Sequence, residues 1–132
     1  MWRHMTAWAA SAVLLAACST VPLLEPQPLT GVGSAEGNRT AILRGMAIHH
    51  WERVSEEPGQ IVARLVVRRH MAEVAIRYDA NEIAIRYRSS EELGCEPVGD
   101  TCSEIHRAYN RWVVQLRKDI SSELLRTSAP PS

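Results

Sequence analysis

The chain has 132 residues, of which 45% are apolar and 23% charged, and its 15 basic side chains balance 15 acidic ones. This composition predicts one small globular domain and excludes a compositionally disordered chain and a multidomain enzyme. Because the charge is balanced, a strongly basic nucleic-acid-binding protein is also excluded, and we expect no nucleic acid among the partners.

The first 17 residues have the pattern of a signal peptide. Arg3 and His4 precede an apolar run over residues 7–17, which is shorter than the roughly 20 residues of a transmembrane helix. The run ends in Leu15-Ala16-Ala17-Cys18, which resembles the lipobox of bacterial lipoproteins. The resemblance implies cleavage before Cys18, diacylation of its sulfur and acylation of the new amine. An ordinary secretory signal with a chance cysteine is the alternative.

A lipidated Cys18 would anchor the domain to a membrane. Several acyl chains, at about 0.8 kcal/mol per buried CH₂, make such an anchor nearly permanent. Ser19, and not Asp, follows Cys18, and the lipoprotein resemblance then implies sorting to the outer membrane. We therefore expect a protein anchored by lipid on the periplasmic side of the outer membrane, with the membrane as a partner through this anchor.

Three further segments follow the signal peptide. Residues 18–37 are predicted to hold the lipidated cysteine and a flexible linker, because prolines and glycines interrupt any apolar period. Residues 38–126 form the predicted periplasmic domain. Residues 127–132 contain two prolines and are predicted to be a disordered tail.

The domain is predicted to have the element order α-β-β-β-α. Apolar residues at helical spacing predict a helix from Asn38 or Thr40 to about Glu57, including His50, Trp51 and Val54 in its length. Alternating apolar residues over 61–67, 72–78 and 83–87 predict three strands, with turns at Arg69-His70 and 79–82. A second helix is predicted over about 103–126. The fold class is therefore α+β: a three-stranded antiparallel meander with two helices packed on one face.

The two remaining cysteines, Cys95 and Cys102, lie in a turn-rich loop. In a chain exported to an oxidising compartment this arrangement predicts a disulfide. A redox site or a zinc site would need closer or additional cysteines, and the six-residue gap fits neither.

Several stretches of the domain resemble a group of small proteobacterial lipoproteins. The most specific is Ile105-His106-Arg107-Ala108-Tyr109-Asn110-Arg111-Trp112, and residues 76–78 and 83–87 also take part. The resemblance implies a location in the cell envelope and assigns no chemistry. The loop between Cys95 and Cys102 departs from the group, so the disulfide follows from local reasoning alone.

The strand residues that point away from the helices are rich in arginine. The predicted turns place Arg64, Ala75 and Arg86 in one cross-strand row. Guanidinium groups bind phosphate and carboxylate through paired hydrogen bonds, which suits an envelope protein or an anionic envelope polymer. The candidate partner-binding residues are Arg64, Arg77, Arg86 and Arg88. The alternative is an ordinary solvated face with Glu73 opposite Arg88.

No catalytic or cofactor motif stands out in the sequence. We find no nucleophile elbow, no phosphate-binding glycine loop and no pairing of a free thiol with histidine, so we expect no enzyme, catalytic residue or cofactor. The histidines lack the spacing of a metal-ligand set, so no metal site is predicted. The leading hypothesis is a non-catalytic interaction module of the cell envelope. The alternative is a small-ligand or metal-binding periplasmic lipoprotein built around His50, His106 and Tyr109, and a weak hydrolase ranks below it.

Overall fold

The computed structural model of the chain describes residues 20–128. The predicted signal peptide, the predicted lipidation site Cys18 and the last four residues of the predicted tail lie outside this range. Within it, neither helix has both the length and the apolar character needed to cross a membrane.

The domain is α+β, with two helices and a five-stranded antiparallel sheet. The elements are β1 (Thr20–Pro22), β2 (Leu29–Thr30), α1 (Ala35–Ile48), β3 (Glu52–Glu57), β4 (Gln60–Val67), β5 (His70–Tyr78), β6 (Glu82–Glu91), β7 (Pro97–Val98), β8 (Thr101–Cys102), β9 (Glu104–His106) and α2 (Arg107–Ser128). The sheet order is β2-β6-β5-β4-β3, and β1-β9 and β7-β8 form two separate pairs. The predicted meander β4-β5-β6 is therefore the centre of a wider sheet.

One face of the sheet and both helices share a single hydrophobic core. We call this the inner face, and Ile61, Val74, Ile76 and Ile85 are among its buried residues. The helices contribute a matching apolar surface that includes Ile42, Met46, Val113, Leu116 and Ile120. A Cβ atom on Gly45 of α1 would lie 2.7 Å from the Ile120 side chain and 2.8 Å from its backbone. The absence of a side chain at Gly45 thus allows the two helices to approach closely.

Helix α1 ends at Ile48, nine residues before the predicted end at Glu57. His50 adopts the left-handed conformation (φ 65°), and the Trp51 N–H donates to the Met46 carbonyl at 2.9 Å. This is a Schellman-type helix end with histidine at the position that glycine usually occupies. Trp51 is buried, and the chain continues as strand β3.

Residues 20–33, which we call the strap, are held against the domain. Thr20 in β1 pairs with His106 in β9, and Leu29 in β2 pairs with Ile83 in β6. Between these points Asn110 accepts a hydrogen bond from the Leu24 N–H and donates one to the Pro22 carbonyl, each at 3.0 Å. The flexible linker predicted over residues 18–37 therefore differs from the structure from Thr20 onward.

A buried asparagine fastens the other end of the strap. Asn38 is fully buried, and its side-chain oxygen accepts a hydrogen bond from the Val32 N–H at 2.9 Å. Its amide group donates to the carbonyls of Asp79 and Ala80, at 2.7 and 3.2 Å. Asn38 therefore joins the strap and the β5–β6 turn to α1. The predicted capping role at Asn38 or Thr40 belongs instead to Ser34, whose hydroxyl accepts from the Gly37 N–H.

The predicted disulfide between Cys95 and Cys102 is confirmed, and it closes the short β7–β8 hairpin. The second helix begins at Arg107, later than predicted, because residues 104–106 pair with β1 as strand β9. The His106 ring then accepts a hydrogen bond from the Ala108 N–H at 3.1 Å, which satisfies one free amide of the first turn of α2.

Replacing Asn38 by alanine should destabilise the domain by about 3 kcal/mol, because buried polar groups of the strap and of the β5–β6 turn lose their partners. Urea denaturation followed by circular dichroism measures the change. Asn81→Ala is the matched control. Asn81 is exposed, so this substitution should change the free energy of unfolding little. Equal stabilities for the two variants would contradict the role given to Asn38.

Candidate functional site

The face of the sheet that points away from the helices, which we call the outer face, contains the candidate arginines. Its central cross-strand rows are Gln60-Arg77-Ala84, Val62-Ala75-Arg86 and Arg64-Glu73-Ser89. Val62 and Ala75 are buried although neither of the two described helices shares a core with them. This is expected where long arginine side chains flank small residues and keep their charged ends in water. The outer face is therefore polar at its surface and apolar beneath it.

The predicted cross-strand row of Arg64, Ala75 and Arg86 is wrong in β4, where the residue opposite Ala75 is Val62, two positions before Arg64. Ala75 does pair with Arg86, but Arg64 pairs with Glu73. The cause is the β4–β5 turn: Val67 pairs with His70, so the turn residues are Arg68 and Arg69, with Arg68 at a φ of 58°. A shift of two residues keeps every side chain on its predicted face and changes only its neighbours.

Arg64 and Glu73 form an ion pair in the middle of the outer face. The Arg64 Nε and Nη2 atoms lie 2.9 and 2.5 Å from one Glu73 oxygen, and the Ser89 hydroxyl donates to the other at 3.1 Å. Burial alone would raise the pKa of the Glu73 carboxyl. The hydrogen bonds from Arg64 and Ser89 and the charges of Arg64 and Arg88 outweigh burial, so this pKa lies below its ordinary value.

A β-bulge in β6 changes the position of Arg88. The register shifts between Glu73 and Val74, so Ser89 takes the place opposite Glu73 that the sequence assigned to Arg88. Arg88 is exposed and has no ion-pair partner within residues 20–128. It lines an open groove of about 460 Å³ next to the disulfide hairpin.

Arg77 and Arg86 lie together in an open groove of about 530 Å³, which we call the distal groove. Ala84 pairs with Arg77 and Arg86 pairs with Ala75, so the two arginines are diagonal neighbours about 7 Å apart on adjacent strands. The other lining residues come from the β3–β4 and β5–β6 turns: Glu57, Pro58, Gly59, Gln60, Tyr78, Asp79 and Glu82.

The contacts that these two arginines make within the domain are weak, and other groups can replace them. Arg77 donates to the side-chain oxygen of Gln60 at 3.2 Å, and Arg86 lies 3.1 Å from Glu25, which is 57% exposed. Exposed ion pairs contribute only about 0–1 kcal/mol. Both guanidinium groups can therefore exchange these contacts for the carboxylate or phosphate of a bound molecule.

The three residues of the alternative ligand site do not form one site. His50 is exposed at the end of α1, His106 stacks on His70 at a ring distance of 6.2 Å, and Tyr109 is buried against Tyr87. Burial raises the pKa of the Tyr109 hydroxyl, so it stays protonated at neutral pH. In the described part of the chain no three His, Cys, Asp or Glu side chains converge as a metal site.

Sequence reasoning missed two contacts of the candidate site. Glu25 reaches Arg86 from the strap, 61 residues earlier in the chain, and Ser89 reaches Glu73 only because of the bulge. No local pattern in the sequence marks either contact. Comparison of the chain with protein families, with curated proteins and with solved structures gave no match. The resemblance to proteobacterial lipoproteins stays a prediction.

The Arg64–Glu73 pair should stabilise the domain at neutral pH and not in acid. Because the folded-state pKa of Glu73 is depressed, its contribution is present above the ordinary glutamate pKa of about 4.3 and is lost as the pH falls through the folded value. Arg64→Met should therefore lower the free energy of unfolding by about 1 kcal/mol at pH 7 and leave it almost unchanged at about pH 2. Urea denaturation at the two pH values measures both costs.

Arg77→Met provides the control, since the partner of Arg77 is the uncharged Gln60. Its cost should change less with pH than that of Arg64→Met. An equal cost of Arg64→Met at both pH values would contradict the assigned pairing.

Proposed function

We propose that the mature protein is a lipid-anchored, non-catalytic interaction module of the bacterial cell envelope, held through Cys18 at the periplasmic side of the outer membrane. The signal-peptide pattern and the lipobox-like residues before Cys18 support this location. The Cys95–Cys102 disulfide is consistent with it, because disulfides persist in the oxidising periplasm.

The distal groove is the proposed binding site for the partner. The observation that carries this proposal is the placement of Arg77 and Arg86 side by side in one open groove, with partners that water or a ligand can replace. The guanidinium groups of two diagonal neighbours can hold one carboxylate or phosphate between them through charge-assisted hydrogen bonds. Arg64 has a different role in this account, since Glu73 already neutralises it.

The acidic residues of the groove narrow the chemistry of the partner. Glu57, Asp79 and Glu82 also line it, and they would repel a polymer with closely spaced negative charges. The groove suits a partner that presents one carboxylate or phosphate next to neutral or cationic groups. An envelope polymer with such groups meets this requirement, and so does a segment of an envelope protein with one acidic side chain beside neutral or cationic residues. The size of a crosslinked product distinguishes them.

A photo-crosslinking residue at Ala84, between the two arginines, should capture the partner in cells that produce the lipidated protein. The crosslinker at Ala47, on the exposed side of α1, is the positional control. The double substitution Arg77→Gln and Arg86→Gln should lower the adduct at position 84 at least tenfold, because the anionic group loses both donors.

Arg44→Gln with Arg111→Gln removes the same charge from exposed sites on the two helices and should leave the adduct unchanged. A discrete adduct mass indicates a protein partner, and a heterogeneous product that sediments with the cell wall indicates a polymer. An adduct that persists in the folded Arg77/Arg86 double variant, or the absence of any adduct at position 84, would refute the groove as the binding site.

A further inference from the structure

The start of the strap and the β4–β5 turn lie at the same end of the domain. Thr20 pairs with His106, and the His106 ring stacks on the ring of His70 at 6.2 Å with an interplanar angle of 21°. His70 is the first residue of β5, directly after the turn residues Arg68 and Arg69. A Cβ atom on Gly94 would also lie 3.3 Å from the Thr20 side chain, which places the end of β6 nearby.

The β4–β5 turn combines exposed apolar and cationic side chains. Val66 is 59% exposed and Val67 37%, and both precede the exposed Arg68 and Arg69. Neither arginine has an acidic partner within 4 Å in the described range. We call residues 66–69 the hairpin tip. Apolar side chains beside arginines are suited to a membrane interface, where the apolar parts enter the lipid and the guanidinium groups meet phosphates.

The chain leaves little distance between the lipid anchor and this end of the domain. Cys18 precedes Thr20 by two residues, and two residues span at most about 7 Å. Because Thr20 is paired in β1, acyl chains on Cys18 would hold the β1–β9 end of the domain at the headgroups.

We propose that the hairpin tip contacts the phospholipid headgroup region of the leaflet in which Cys18 is anchored. This inference depends on the proposed lipidation of Cys18. Val66 and Val67 supply the apolar contact, and Arg68 and Arg69 bind headgroup phosphates. Glu91 pairs with Met71 at the level of Val66, and the Glu92 carbonyl lies 2.6 Å from the His70 ring. The acidic end of β6 therefore lies at the level of Val66 and Val67, and Arg68 and Arg69 follow beyond it in the turn. The hairpin-tip end of the domain then faces the membrane. The distal groove faces the periplasm, since it lies at the other end of the strands, about 27 Å away.

The test uses the mature lipidated protein, with one added cysteine carrying an environment-sensitive fluorophore. The label is placed at Val67 in the hairpin tip or, as the matched control, at Asn81 in the exposed β5–β6 turn. The vesicles contain phosphatidylethanolamine, phosphatidylglycerol and a phospholipid with a spin label near its headgroup. The label at Val67 should be quenched at least threefold more than the label at Asn81.

A third protein carries ten glycine and serine residues inserted between Ser19 and Thr20. The longer tether should remove most of the quenching at Val67 while the protein stays on the vesicles. Equal quenching at Val67 and Asn81, or none at Val67 in vesicle-bound protein, would overturn the proposed contact and leave the anchor intact. A mature protein whose mass lacks the acyl groups would instead overturn the proposed anchoring itself.

Discussion

The fixed position of the strap is the constraint on which the rest of the structure depends. Its residues pair with β9 and β6. Asn110 of α2 satisfies backbone groups of Pro22 and Leu24 between these two pairings, and Asn38 of α1 accepts from the Val32 N–H beyond β2. Proline suits this segment, because a strap along the edge of a sheet needs few N–H donors. The segment that sequence patterns predict to be a flexible tether is therefore a structural element from Thr20 onward.

The two faces of the sheet differ in what covers them. The helices and the inner face satisfy each other in one core. The outer face has no second layer in the described part of the chain. Long arginine side chains flank its small apolar residues instead. One of them, Arg64, is committed to the largely buried Glu73, whereas Arg77 and Arg86 keep exchangeable partners in the distal groove. The same residue type therefore serves stability at one position and recognition at another.

The elements that the sequence predicts well are those with a long regular pattern. The alternation over 61–67, 72–78 and 83–87 identified the inner face correctly for Ile61, Val74 and Ile85, and the helical period identified most of α2.

The end of α1 was missed because His50 occupies a left-handed position that carries no glycine. The β4–β5 register was missed because Arg68-Arg69 has no turn signature and a slip of two residues preserves the face pattern. The strap strands are only two and three residues long and pair with distant residues, so no local period marks them. Arg77 and Arg86 were among the predicted binding residues, and the predicted pairing of Ala75 with Arg86 is correct, which already makes them diagonal neighbours. Their contacts with Gln60 and Glu25 required the structure.

Amide hydrogen exchange in the mature protein in detergent micelles tests the fixed strap most directly. The informative amides are those of Leu23, Gly31 and Gly33, which donate to the carbonyls of Ser103, Asn81 and Ala80 at 3.2, 2.7 and 2.9 Å. If the strap is part of the fold, these amides should exchange within about tenfold of the amides of β5, since they would open in the same cooperative unit. Exchange at the rate of an unstructured peptide, with β5 still protected, would contradict the account and restore a flexible tether.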